Sequence, residues 1–167
     1  MFFTEEKSMR IDAIRNFLIE NKSNFTVIEY SYLVSSLIES VDKVANVASV
    51  YGAYLKKFKR TALKDFEFKL IELDDVKVDF SIYNDYAEKV VKNIEGDILY
   101  IDPPYNTRQY SSNYHILEMI ASDEEDIEIY GKTALPKNKK SSDFSSKTKV
   151  LNAFNELISN SKFDNIF

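Results

Sequence analysis

The sequence predicts an α/β fold in which a mainly helical front half precedes a partial sheet. Three observations predict it. No Pro or Gly interrupts the chain between Met1 and Tyr51, and apolar residues there recur at helical spacing. After Lys64 the rhythm becomes an alternation, with Phe66, Phe68, Leu70, Val76, Val78 and Phe80 set among polar residues. Finally, Ile98-Leu99-Tyr100-Ile101 is a short continuous run of strand-forming residues that enters Asp102-Pro103-Pro104-Tyr105.

Taken in order, Thr4 followed by Glu5 and Glu6 predicts a capped first helix over about 4–21, with Ile11, Ile14, Phe17 and Leu18 on its apolar side. A second helix is expected from Tyr30 to about Ala45, on the rhythm of Leu33, Leu37, Val41 and Val44. Gly52 is the first break, in a stretch where aromatic residues are interleaved with lysines. The alternating residues 66–80 read as strands. Asn84 is placed to cap a helix running to about Ile94, which Gly96 would end before the strand at 98–101, itself expected to be buried on both faces. Helices are expected at 112–121 and 147–161, a long polar loop at 122–146, and the start of another buried strand in the closing Phe163-Asp164-Asn165-Ile166-Phe167. The expected division is a helical region, 1–64, and a partial α/β region carrying the Pro-Pro motif, 65–167.

Composition excludes several classes. The 167 residues with 44% hydrophobic content describe a globular chain with a core. With no cysteine and a single histidine, His115, there is no disulfide, thiolate metal site or cysteine nucleophile, and metal chemistry is not expected. No apolar run is long enough to cross a bilayer and the N-terminus has no secretion signal, so no membrane association and a cytoplasmic address are expected. The net charge of -5 argues against holding nucleic acid by bulk electrostatics. Charge is nevertheless clustered: Lys56, Lys57, Lys59, Arg60 and Lys64 form one basic group, and Lys132, Lys137, Lys139, Lys140, Lys147 and Lys149 a second. Solvated surface is one reading of both, phosphate contact the other.

Proline has no N–H to give a sheet ladder, and it drives the residue before it out of the helical region. The strand at 98–101 must therefore leave the sheet at Asp102 as a stiff extended turn. Ligands of open α/β sheets bind at the carboxyl ends of strands, so a carboxylate, a carbonyl and an aromatic ring stand where a site is expected. That set suits an exocyclic amine of a nucleobase, whose lone pair is delocalised into the ring. The Asp102 carboxylate and Pro103 carbonyl would accept its two N–H bonds and draw the nitrogen towards a tetrahedral state. Pro104 stiffens the loop, and Tyr105 offers a stacking face of the kind worth roughly 1–3 kcal/mol per base.

The motif resembles that of the amino-directed methyltransferases, which move a methyl group from S-adenosylmethionine to an exocyclic base amine. The longer string LYIDPPYNTRQYSSNYHILEMIA, residues 99–121, closely resembles adenine-specific DNA methyltransferases of restriction-modification systems, in the group similar to the FokI methylase. The resemblance implies a Rossmann-like methyltransferase sheet, double-stranded DNA as partner, and catalytic roles for Asp102, Pro103, Pro104 and Tyr105. It also implies a DNA-contacting set of Asn106, Arg108, Gln109, Tyr110, Asn113, Tyr114 and His115. Similar segments place Asn46, Tyr51, Lys56 and Lys57 in a region near DNA, giving residues 1–64 a DNA-contacting or target-recognition part, and Lys147 in a loop close to the target. Asp85 stands where the family has an acidic residue meeting the cofactor adenine, while a helix cap remains an equal reading of it.

Family members hold S-adenosylmethionine with a glycine-rich loop, whereas Gly52, Gly96 and Gly131 are far apart here. The sequence therefore reads as an internal piece or truncated form, inactive alone, with an unpaired sheet edge that implies a homo-oligomer or the missing part of the same enzyme. Two rivals stand beside this reading. One is a non-enzymatic DNA-binding remnant or subunit that needs a partner, the other an RNA or nucleobase amine methyltransferase.

Overall fold

The computed structural model describes residues 1–74, 77–104, 107–123, 127–138 and 141–167. They form two compact units, residues 1–75 with 111–139 and residues 76–110 with 140–167. The expected division after residue 64 follows the sequence. The spatial units do not, because the segment after the Pro-Pro motif returns to the helices.

In the first unit, α1 spans Glu5–Glu20 and α2 spans Val27–Asp42. Thr4 stands at the N-cap of α1 in extended conformation, but its side chain makes no capping bond, so the acids of the first turn are left to answer the helix dipole. The stronger cap belongs to α2. Thr26 accepts from the Glu29 N–H at 3.2 Å and the Glu29 carboxylate accepts from the Thr26 N–H at 2.8 Å, a reciprocal box that starts the helix three residues before the expected Tyr30. The Thr26 N–H, and then the Thr26 hydroxyl donating at 2.8 Å, hold the Glu29 carboxyl below its ordinary range. Ile11 and Leu18 of α1 meet Leu37 and Val41 of α2, together with Val44 and Phe66, in one core.

The strands expected over 66–80 are not formed among the described residues. Phe66 and Phe68 do turn to the core, as the alternation required, but the backbone finds a helix rather than a neighbouring strand. The Lys69 N–H donates to Ser40 Oγ at 3.0 Å, the Ile71 N–H donates to Ser36 Oγ at 3.2 Å, and Tyr32 donates its hydroxyl to the Ile71 carbonyl at 2.6 Å. One face of α2 thus supplies the partners that a sheet ladder would have given.

The segment after the motif forms α4, Tyr110–Asn113, and α5, His115–Ala121, instead of one helix from 112. Leu117 and Ile120 of α5 pack on the helical core, which brings this segment into the first unit. The polar stretch expected as a loop contains a short hairpin, β2 (Ile129–Tyr130) with β3 (Leu135–Pro136), turned at Gly131, whose φ of 72° suits glycine.

The second unit holds α3 (Ala87–Val90, continued as a 3₁₀ turn over Val91–Asn93), β1 (Glu95–Leu99), α6 (Val150–Ser159) and β4 (Lys162–Ile166). Strands β1 and β4 pair in parallel, with Glu95 opposite Lys162 and Leu99 opposite Ile166. Pairing continues past the strand: the Phe167 N–H donates to the Leu99 carbonyl at 2.9 Å and the Ile101 N–H to the Phe167 carbonyl at 2.8 Å. The expected closing strand is present, and Gly96 lies inside β1 rather than ending a helix. Leu99 and Ile101 pack on the core of Val91, Phe144, Ala153 and Leu157. On the opposite face Ile98 is 62% and Tyr100 74% exposed, which corrects the expectation of a strand buried on both sides. A two-stranded parallel sheet packed on one face accounts for that alternation.

Candidate active site

The ladder bond of Ile101 is the last before the chain turns out of the sheet, and Asp102 follows at once as an exposed residue. Pro103 and Pro104 are half-buried and bring no N–H that a nearby acceptor could engage. Together these residues line a cavity of about 510 Å³ in the second unit. Asp85 and Tyr86 approach it from the start of α3, and Phe144 and Leu157 from its apolar side. Sequence reasoning placed Asp85 and Asp102 separately, and the fold brings them to one cavity. Asp85 also serves locally, accepting from the Tyr86 N–H at 2.7 Å and from Lys89 Nζ at 3.2 Å. Tyr105 and Asn106 lie outside the described residues.

The segment beyond the motif divides sharply. Tyr110 lines the same cavity and Arg108 is exposed. Gln109 is half-buried, and its carboxamide is held by the backbone of Ser142: the Ser142 N–H donates to Oε1 at 2.8 Å and Nε2 donates to the Ser142 carbonyl at 3.2 Å. In the first unit, Asn113 accepts the Tyr51 N–H on its carbonyl at 2.6 Å, and Tyr114 is partly exposed. His115 is 0% exposed, with Nδ1 at 3.1 Å from the Ser112 carbonyl and Nε2 at 2.6 Å from the Thr133 carbonyl, so its ring faces the interior.

Asn46 and Tyr51 are also interior. Asn46 donates to the Met1 and Leu55 carbonyls at 3.1 and 3.0 Å and accepts from the Lys59 N–H at 3.1 Å. Tyr51 donates to Asp42 at 2.8 Å, and burial followed by that bond pushes its hydroxyl well above the usual tyrosine range. The loop they anchor presents Lys56, Lys57, Arg60 and Lys64 outward, and none of these makes an ion pair among the described residues. In the second basic group, by contrast, Lys137 pairs with Glu128 and Lys149 with Asp143, leaving Lys132 and Lys147 exposed. Lys139 and Lys140 lie outside the described residues.

Residues 1–167 match the family model of the D12 class N6 adenine-specific DNA methyltransferases. The chain belongs to that family. It is 43% identical to the Type II methyltransferase M.FokI of Planomicrobium okeanokoites, over 99% of this chain and 26% of that protein. It is 42% identical to the Type II methyltransferase M.CviAII of Paramecium bursaria Chlorella virus 1, over 96% of this chain and 48% of the relative. With M.NlaIII of Neisseria lactamica the identity is 41%, over 99% of this chain and 50% of the other. The chain therefore spans from about a quarter to half the length of these relatives. No solved structure matches it.

Membership accounts for the resemblance carried by residues 99–121. The small parallel sheet among helices is consistent with the α/β fold expected of such an enzyme. Among the described residues no helix is long and apolar enough to cross a membrane. Two features of the site were missed from sequence. The Ser142–Ser145 turn lay within a stretch read only as a loop, and the Gln109–Ser142 pairing joins residues 33 positions apart.

Proposed function

We propose that this chain carries the target-amine site of a site-specific adenine DNA methyltransferase. The observation that supports it most is the placement of Asp102 and Pro103, at the end of a parallel strand, on the wall of a cavity with room for a nucleoside. The Asp102 carboxylate and Pro103 carbonyl accept the two N–H bonds of the adenine amine. The nitrogen is thereby drawn towards tetrahedral geometry with its lone pair free, and its surplus proton leaves to Asp102 or to water after transfer. Tyr105 stacks on the base, which must leave the duplex to be reached, at a cost of a few kcal/mol.

The residues present fit the nucleoside end of S-adenosylmethionine, since Asp85 and Tyr86 give an acceptor and a flat ring beside the apolar wall of Val91 and Leu99. When bound, that group supplies an electrophilic methyl on sulfur. Asp85 would orient it by accepting from its adenine amine. Contact with double-stranded DNA falls to the exposed Lys56, Lys57 and Lys147 towards phosphates, and to the exposed Arg108, Tyr110 and Tyr114, joined by Asn106 and the half-buried Asn113 of the same stretch of sequence. The exposed apolar face of Ile98 and Tyr100 would be covered by a second copy or by a further part of the same enzyme.

Asp102→Ala tests the reading. In the enzyme that carries this chain, methyl transfer from S-adenosylmethionine to duplex DNA is expected to fall by roughly 10²–10³-fold, the scale seen when one preorganised polar partner of a transition state is removed. DNA affinity should change by less than about twofold, because Asp102 is not a phosphate contact. Parallel loss of binding and melting temperature would show that Asp102 holds the fold instead. A wild-type chain that binds DNA without transferring methyl would favour a binding subunit that needs a partner.

A further inference from the structure

The carboxamide of Gln109 meets the backbone of Ser142 in a two-bond pairing, with its oxygen on the N–H and its nitrogen on the carbonyl. Turning the amide over would set donor against donor and acceptor against acceptor, so the pairing fixes its orientation. Both partners are tied to the cavity. Gln109 precedes Tyr110, which lines it, and Ser142 lines it while its Oγ accepts from the Phe144 N–H at 3.3 Å. Phe144 is buried and meets Phe154 edge-on at 5.1 Å, so the turn that receives Gln109 is seated in the core of this unit. Two bonds from a planar amide restrain both distance and rotation, where one bond would leave a hinge.

From this we infer that Gln109 is a positioning residue of the methyl-transfer site, not a reader of DNA. It fastens residues 107–110 to the 142–145 turn, holding Tyr110 on the cavity wall. The inference rests on the reading of that cavity as the place of methyl transfer. A misplacement of about 1 Å in such a site is enough to cost on the order of 10²-fold in rate. Gln109→Glu is the sharpest variant, since it keeps an acceptor for the Ser142 N–H and sets a carboxylate oxygen against the Ser142 carbonyl. Gln109→Ala removes both bonds.

The test has two arms, the first run on the whole chain and the second on the enzyme that carries it. In the first, amide hydrogen exchange at Ser142 is measured in the wild type and both variants. Gln109→Ala is expected to speed it at least about tenfold, while exchange in α1 and α2 is unchanged. In the second, methyl transfer and DNA affinity are measured together, and kcat is expected to fall about 10- to 100-fold with the DNA Kd changed less than about twofold. Unchanged exchange at Ser142 in Gln109→Ala would overturn the latch. A tenfold weaker DNA Kd with kcat unchanged would overturn the positioning role in favour of direct contact. An enzyme carrying this chain that transfers no methyl would instead count against the proposed function, and the exchange arm would still decide the latch.

Discussion

The two units put their polar side chains to opposite uses. In the helical unit they point inward: Lys7, Ser36, Ser40, Asn46 and His115 are buried, and each holds a backbone group. Lys7, for example, gives its ammonium to the Ala62 carbonyl at 2.9 Å. In the motif-bearing unit Ser145 is the one buried polar residue among those described, while Asp85, Asp102 and Ser142 are gathered around a cavity. The difference separates two tasks. Buried polar staples specify one arrangement of loops, because every unmade bond is costly there, whereas the polar groups around the cavity, although Asp85 and Ser142 also hold local bonds, stand where a ligand can reach them.

The largest stability effect should therefore fall in the helical unit. Leu37 is 0% exposed between α1 and α2, and Leu37→Ala is expected to cost about 2–5 kcal/mol in urea unfolding. Leu157→Ala, in the smaller core under β1, should lie at the lower end of that range, because the shorter elements there relax into the space more readily. A larger loss from Leu157 would break the contrast and make the motif-bearing unit the better packed of the two.

A somewhat smaller effect is expected at Asn46, where removing one carboxamide leaves two carbonyls and one N–H without it. Each such group, if buried and unsatisfied, costs about 1–3 kcal/mol, with water recovering part, so Asn46→Ala should lose roughly 2–4 kcal/mol by the same measurement. The comparison sharpens if DNA affinity, measured on folded protein, changes less for Asn46→Ala than for Lys56→Ala. Stability left unchanged while DNA affinity collapsed would make Asn46 a DNA contact and the loop a weakly held one.

What was legible in the sequence follows from where each residue finds its partner. Helix α1 and the presence of a strand shortly before Asp102, though at Glu95–Leu99 rather than 98–101, were readable because their determinants are local: apolar spacing in one case, the two prolines in the other. The start of α2 was written in Thr26 and Glu29, a Thr-x-x-Glu pattern, although the apolar rhythm drew the expected start to Tyr30. The alternation was real at Phe66 and Phe68 but not beyond, since Leu70, Val78 and Phe80 are exposed, and period two reports only that one face is buried, not whether a strand or the serines of α2 will take the backbone bonds. Asp85 and Asp102 were both marked, yet their shared cavity depends on how α3, the end of β1, the 142–144 turn and α6 pack together, which no local pattern encodes. Gln109 left the least trace. Its partner is a backbone, which constrains the identity of no other side chain.

The smallest effect lies at the surface of the helical unit, in the group formed by Lys22, Tyr30 and Asp123. Asp123 accepts from Lys22 and, at 2.7 Å, from the Tyr30 hydroxyl, and these bonds hold its carboxyl below the usual range. Desolvation, then the bond to Asp123, pushes the Tyr30 hydroxyl up to about 12. The signs are opposite. A depressed carboxyl adds stability above its unfolded pKa near 3.8 and loses it as pH falls through the folded value. A raised tyrosine adds stability below its unfolded pKa near 10 and loses it as pH climbs towards about 12. Tyr30→Phe should therefore melt below wild type across the middle of the pH range, by no more than the ~1 kcal/mol typical of exposed polar pairs, with the gap closing at both ends. Thermal unfolding of the two proteins from pH 3 to pH 12 would show it. A constant gap over that whole range would mean that the hydroxyl is not coupled to Asp123, and that this edge of the helical unit is held by packing alone.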